Sequence, residues 1–267
     1  MNNPELTEKV KGVALAQGAD LVGVAKVSDL PEHTESIAKI LPEARSVMVV
    51  AARHSLAAIT SANNQMAQFD TIHAYDACAN AAHKASRFLE SEGFLSAAVP
   101  AFIPIDMEDP NKGMRGEICW RRAGVRAGLG SYGENGLLVT KEFGSAIRLS
   151  GLVTLAGLET DSPLDHDACD HCKRCMDACP VEALSGDGQI NKKLCGDEIF
   201  KYGFRFFANF MKDLIRRPAE ETEEIFRGYG PRELWQTFMT GNYYYCFKCQ
   251  SQCPATVLPV TESTKAC

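Results

Sequence analysis

The chain is 267 residues long, 45% hydrophobic and 23% charged, with a formal net charge of −6. That length can bury a real core in one large domain or two smaller ones, and the acidic balance argues against non-specific nucleic-acid binding, which needs Lys and Arg to neutralise phosphates. The start carries no signal-like segment and no apolar run reaches the roughly 18–20 residues of a membrane span, so a soluble, cytoplasmic protein with no membrane partner is expected.

Pro4 at a first helical position and Gly18 at a stop frame an opening helix, with Leu6, Val10 and Val13 near a 3.6 period. ADLVGVAKV then reads as a short strand, and Pro31 opens a second helix that Pro42 ends. SVMVVAA, 46–52, is a continuous apolar run, the pattern of a strand buried on both faces. From Asp70 to Glu92 a long helix carries the stripe Ile72, Tyr75, Ala79, Ala82, Ser86 and Leu89, with Gly93 as its cap. Cys78, His73 and His83 fall beside that stripe and receive no role. FLSAAV is a further strand, emptying into PAFIPIDMEDPNKGMRG, a loop of about 17 residues whose length and lack of period suggest function.

A helix is expected in EICWRRAG, followed by Gly128, Gly130, Gly133 and Gly136. Four glycines so close together mark backbone that approaches something, either a bound cofactor or the chain itself. GLLVT and AIRLSGLVTLAGL read as two strands joined by KEFGS, a hairpin or sheet pair. The acidic stretch ETDSPLDHD then marks a boundary. The expected fold class is an α/β (α+β) N-terminal domain with a mixed sheet, residues 1–160. A bacterial ferredoxin-like double-cluster domain with a helical insertion follows, residues 161–267.

That second part holds most of the eleven cysteines, and reduced cytosolic thiols point to metal ligation rather than disulfides. CDHCKRCMDACP places Cys169, Cys172, Cys175 and Cys179 in the C-x2-C-x2-C-x3-C-P spacing of a [4Fe–4S] site, whose fourth cysteine serves the other cluster in two-cluster ferredoxins. Zinc sites more often close with paired ligands that include His. A second run, Cys246, Cys249 and Cys253 before Pro254, is one ligand short, with Tyr243 where a thiolate would stand. Between the runs, Phe204, Phe207, Phe210, Met211 and Leu214 lie in helical segments that could cover the clusters or simply fill a core.

With both runs and the segment RAGLGSYGENGLLVTKEFGSAIRLSGLVT read, the chain resembles the epoxyqueuosine reductase-like iron–sulfur proteins and, more distantly, the reductive dehalogenases. ADLVGVA and LPEARSVMVVA share in that resemblance. It implies that Cys195, in KKLCGDEIF, supplies the missing ligand: cluster one would be held by Cys169, Cys172, Cys175 and Cys253, and cluster two by Cys179, Cys195, Cys246 and Cys249. Cys78, Cys119 and Cys267 remain as spare thiols.

The resemblance further implies a corrinoid (cobalamin) without a lower protein ligand, beside cluster one, and a two-electron reductive cleavage fed by a low-potential donor such as ferredoxin or flavodoxin. The Asp-x-Gly-Pro segment of epoxyqueuosine reductases has no counterpart in MRGEICWRRAG. The proton donor is therefore sought in Glu117, then Tyr132, then Asp106. Gly128, Gly130, Gly133, Gly136 and Arg126 are the expected corrinoid contacts, the last within a basic group of Lys112, Arg115, Arg121, Arg122 and Arg126 that could equally be a solvated helix face. Because the chain stops fourteen residues after Cys253, where tRNA-modifying relatives continue, and because it is acidic, tRNA is expected to be an unlikely partner and a small molecule the substrate. The rival reading is a two-cluster electron carrier that docks a partner enzyme; a flavin in place of the corrinoid has no fingerprint.

Overall fold

The computed structural model describes residues 3–99, 116–240 and 244–256. Asp106, Asp109, Lys112, Arg115, Tyr243 and Cys267 lie outside the described residues. Helix α1 (Pro4–Ala16) begins where Asn3 accepts a hydrogen bond from the Leu6 N–H, with proline in the first turn, as its helix-start residues dictate. Strand β1 (Leu21–Lys26) follows, then two short 3-10 turns, helix α2 (Thr34–Ile40) and strand β2 (Ser46–Arg53). Helices α3 (Leu56–Thr60) and α4 (Asn64–Ser91) lead to β3 (Ser96–Val99). After helix α5 (Trp120–Arg126) come the short strands β4 (Ser131–Tyr132) and β5 (Leu138–Val139) and the long β6 (Ile147–Thr154).

The main sheet has the order β1-β2-β6-β3, and every neighbouring pair in it is antiparallel. This corrects the expected mixed sheet: β6 returns between β2 and β3 and runs against both. The apolar run of β2 still buries both faces, because helices cover each side. Met48, Val50 and Ala52 pack with α1 and α4, while Val47, Val49 and Ala51 pack with α2 and α5, as strand alternation requires. The expected β5–β6 hairpin does not form. Thr140 and Gly144 exchange backbone hydrogen bonds of 2.9 and 3.0 Å, closing a tight turn, and β5 pairs with β4 instead.

Helix α4 is longer than expected and buries Ala74, Cys78, Ala81, Ala82, Ala85, Ser86 and Leu89. Cys78 is thus a core residue whose thiol lies 3.1 Å from the Arg148 carbonyl oxygen, and burial pushes that thiol up to about 12. It is inert packing.

Beyond β6 the chain is tied back to the sheet by Asp161. Its carboxylate accepts from the Val24 N–H at 2.8 Å and from Lys11 Nζ at 2.7 Å. The cysteine-bearing part then contributes helices α6 (Arg174–Asp177), α7 (Lys192–Ile199), α8 (Phe204–Arg216), α9 (Ala219–Arg227), α10 (Tyr229–Thr240) and α11 (Lys248–Ser251). Of the residues expected to cover the clusters, Phe204 and Met211 are exposed, Phe204 by 74%. Among the described residues no helix is long and apolar enough to cross a membrane.

The glycine run after α5 answers to the chain itself. Gly128 adopts φ +71°, and a Cβ there would meet the Ser162 carbonyl oxygen at 2.4 Å. A Cβ at Gly130 would stand 2.1 Å from the Val139 carbonyl oxygen. Backbone cannot yield as a side chain can, so Gly130→Ala is expected to lower stability by roughly 1–3 kcal/mol, read as a fall in the thermal midpoint of the anaerobically purified protein. Gly12 is the control: it sits in α1 with open space where a Cβ would go, and Gly12→Ala should raise stability by about 0.5–1 kcal/mol, read as a higher midpoint.

Candidate functional site

The cysteines of the two runs gather in two adjoining groups. Cys169, Cys172, Cys175 and Cys253 line one small cavity together with Glu134 and Asn135. His171 and Lys173 hold left-handed backbone at φ 54° and 62° between these cysteines. Such conformations are costly outside glycine, and here they turn the loop so that one cavity sees Cys169, Cys172 and Cys175. His171 is braced by Glu134 at 2.7 Å and Asp167 at 3.1 Å, which raise its affinity for a proton.

In the second group, charge on Cys246 or Cys179 disfavours charge on Cys195, and Cys249 feels Cys246, Cys195, Cys175 and Cys179 in turn. Burial is the larger effect. It pushes the Cys175 thiol up to about 11 and Cys195 up to about 12, and it raises Cys249 and Cys246 as well. Buried thiols crowded in this way do not ionise by themselves, whereas iron ligation displaces their protons and supplies the compensating charge. Among the described residues no three His, Cys, Asp or Glu side chains converge on a single ion. A cluster places its own irons and sulfides between its thiolates, so its ligands need not meet at a point.

A cleft of about 560 Å³, open to solvent, lies between the sheet and this second group. One side is formed by Cys195, Cys246, Cys249, Ile199 and Phe200, and the other by Cys119, Arg121, Tyr132, Ile147 and Arg148. The turn before β6 joins the two halves. Gln250 in α11 donates to the Ser145 carbonyl at 2.7 Å, and the Asn135 amide donates to Ser145 Oγ at 3.1 Å. Gly144 packs so closely on Ala255 and Thr256 that a Cβ would come within 2.5 Å of the Thr256 nitrogen.

A 4Fe-4S binding domain matches residues 163–185. The chain is 30% identical over 139 residues to the epoxyqueuosine reductase of Bacillus subtilis (strain 168), covering 52% of this chain and 29% of that protein. In fold it matches a crystal structure of epoxyqueuosine reductase with an epoxyqueuosine-modified tRNA stem loop, at a TM-score of 0.58 and 21% identity over 94% of this chain and 65% of that one.

The chain resembles the epoxyqueuosine reductases in both sequence and fold. A reductive dehalogenase structure, described as suggesting a mechanism for B12-dependent dehalogenation, matches at a TM-score of 0.56 and 15% identity, over 93% of this chain and 37% of that one. The chain spans under a third of the length of the curated relatives that head the comparison, between 20% and 29% of each. The expectation that tRNA is unlikely is corrected, since the relatives are named for a tRNA nucleoside and one is solved with a modified tRNA stem loop. Net charge over a whole chain does not report the local surface that meets an RNA.

Among the residues expected to be catalytic, Tyr132 lines the cleft. Glu117 does not, although its neighbours Gly116 and Ile118 do; its charge acts on Lys39 instead. Asp106 lies outside the described residues. Gly128, Gly130, Gly133 and Gly136 do not line the cleft, and what faces each is protein. Arg126 is exposed and away from it, one turn from Arg121 and Arg122, which do line it. The cleft borders the second cysteine group, not the first beside which the corrinoid was expected.

Sequence reading passed over Cys119, His33 and Arg148. The Cys119 backbone N–H donates to His33 Nε2 at 3.3 Å. Burial opposes a Cys119 thiolate, but the hydrogen bond to His33 and the charge of Arg121 outweigh it and bring the thiol down to about 6. Tyr132 is shifted the other way. Burial raises its pKa, Arg121 opposes, and the hydrogen bond to Cys119 raises it further, so the phenol keeps its proton. The thiolate is the reactive form, so iodoacetamide labelling of Cys119 in the cluster-loaded protein should rise through a midpoint near pH 6, matching a thiol at about 6. His33→Gln should move that midpoint upward by a unit or more, and a wild-type midpoint above pH 8 would contradict the arrangement.

Proposed function

We propose that the protein is a two-cluster, corrinoid-dependent reductase, with residues 161–267 as its electron-entry domain and residues 1–160 as the domain that carries the substrate side. The observation that supports it is the composition of the cleft. Cysteines of the second group form one wall, and a protonated phenol, Tyr132, stands in the other. Reductive cleavage needs both an electron route and a proton source at the same place.

Cys169, Cys172, Cys175 and Cys253 would hold one [4Fe–4S] cluster and Cys179, Cys195, Cys246 and Cys249 the other. Eight soft thiolate donors in two groups of four fit that assignment. The cleft, about 560 Å³ and lined in part by Ile118, Leu137, Leu138, Ile147 and Leu149, offers apolar surface for a flat cofactor. A bound corrinoid would supply the low-valent metal centre for a two-electron cleavage.

The chain's own residues do the rest. Tyr132 holds a proton at its Oη facing the cleft and gives it to the leaving group. Arg121, 6.0 Å from the Tyr132 ring centroid, stabilises the phenolate left behind, and Cys119 fixes the phenol's orientation. The apolar residues exclude water from the reacting end. Since the relatives are epoxyqueuosine reductases, an epoxyqueuosine-bearing tRNA stem loop is the first substrate to test, followed by small organic molecules with a reducible bond.

Anaerobic purification followed by gel filtration with cobalamin tests the reading. About eight irons per chain with cobalamin retained supports it. Eight irons with no retention would leave a two-cluster electron carrier. Cys195→Ala should lose about half the iron while Cys119→Ser loses none. Tyr132→Phe should retain cobalamin and slow turnover by roughly 10²–10⁴-fold, the usual worth of a positioned acid.

A further inference from the structure

We infer that Arg148 forms an oxyanion-binding subsite in the wall of the cleft, taking a carboxylate or phosphate group of the molecule bound there. The inference rests on the reading of the cleft as a binding site and adds the ligand chemistry that this part of its wall selects.

Arg148 is the second residue of β6, opposite Ala52 of β2. It is only 7% exposed and is one of the residues lining the cleft. A guanidinium so deep is normally matched by a carboxylate, and among the described residues Arg148 has no ion pair. Of the acids on α4, which packs against β6, Asp70 is already committed, binding His54 Nδ1 and the Ser55 N–H, the latter at 3.0 Å, and Asp76 is exposed. Arg148 Nε and Nη2 are both buried without a hydrogen-bond partner.

Those two nitrogens belong to one edge of the guanidinium, and their N–H bonds run nearly parallel. That edge is the fork that a carboxylate or phosphate meets with two oxygens at once.

The setting holds the fork in place. The guanidinium carbon lies 5.2 Å from the Tyr75 ring centroid, 4.8 Å from Tyr244 and 5.9 Å from Phe247. Aromatic faces stabilise the cation and leave its in-plane N–H groups free. They also keep water away, so an anion reaching the fork is bound in a medium of low dielectric where the attraction is strong. Tyr75 and Tyr244 line the cleft as well, so the cage is part of the cleft wall. Solvated surface arginines such as Arg122 bind anions far less selectively.

Isothermal titration of the anaerobically purified, cluster-loaded protein with inorganic phosphate and with acetate tests this without any corrinoid. Wild type should bind at least one of the two at a single site. Arg148→Gln, with iron content and thermal midpoint retained, should bind at least tenfold more weakly. Arg148→Lys, which keeps the charge and loses the fork, should fall in the same direction and serves if the glutamine variant does not fold. Binding unchanged in both variants, or absent in wild type, would overturn the inference and leave Arg148 as a cation held by aromatic rings. Cobalamin titration then identifies the source of the anion. Weakening of tenfold or more in Arg148→Gln puts it on the cofactor, and unchanged cobalamin affinity puts it on the substrate. Failure of cobalamin to bind either protein would count against the corrinoid reading alone.

Discussion

The arrangement of this protein depends on the seam where the turn before β6 meets the last cysteine run. Ser145 accepts from Gln250 through its carbonyl and from Asn135 through its hydroxyl, all three side chains being buried. Buried polar groups of this kind are costly unless paired and specify one arrangement when they are. Gly144 lets the Ala255–Thr256 backbone come into direct contact. The seam therefore fixes Cys249 and Cys253, which flank Gln250, against the sheet that carries Arg148. Asn135 borders both the small cavity of the first cysteine group and the large cleft, so one residue couples the positions of both.

From that constraint the functional geometry follows. The cleft lies between β6 and α5 on one side and α7 with the second cysteine run on the other, and the seam helps to set their spacing. Its lining combines two kinds of chemistry. Cys119 is hydrogen-bonded to His33 and to Tyr132 beside the Arg121 cation, and in that group the thiol gives up its proton readily while the phenol keeps it. Arg148 offers a cation among aromatic rings. Cysteines of the second group line the same cleft.

Much of this was legible in the sequence where residue type alone constrains structure. Cysteine spacing marked the two runs, the family resemblance added Cys195 and the sharing of ligands between clusters, and the apolar run of β2 announced a strand covered on both sides. Strand direction was not legible, because an antiparallel strand buried under helices on both faces has the same composition as a parallel one. The stripe on α4 was read partly out of register since its alanines mark no face: Ala79 is exposed while Ala81 and Ala85 are buried. The glycines after α5 correctly signalled close approach but could not say to what, and the answer is the chain's own carbonyls. Cys119 and Arg148 were missed because their partners, His33 and the rings of Tyr75, Tyr244 and Phe247, are far from them in sequence. Nothing local marks a side chain whose environment is assembled by the fold.

The central claim is that the cleft beside the second cysteine group holds a corrinoid within reach of a reduced cluster. Electron paramagnetic resonance of cob(II)alamin mixed with the anaerobic, cluster-loaded protein measures this directly. A cobalt signal broadened or split when the clusters are reduced is expected, with the effect abolished in Cys195→Ala. A cobalt signal identical to that of free cob(II)alamin in both redox states would contradict it.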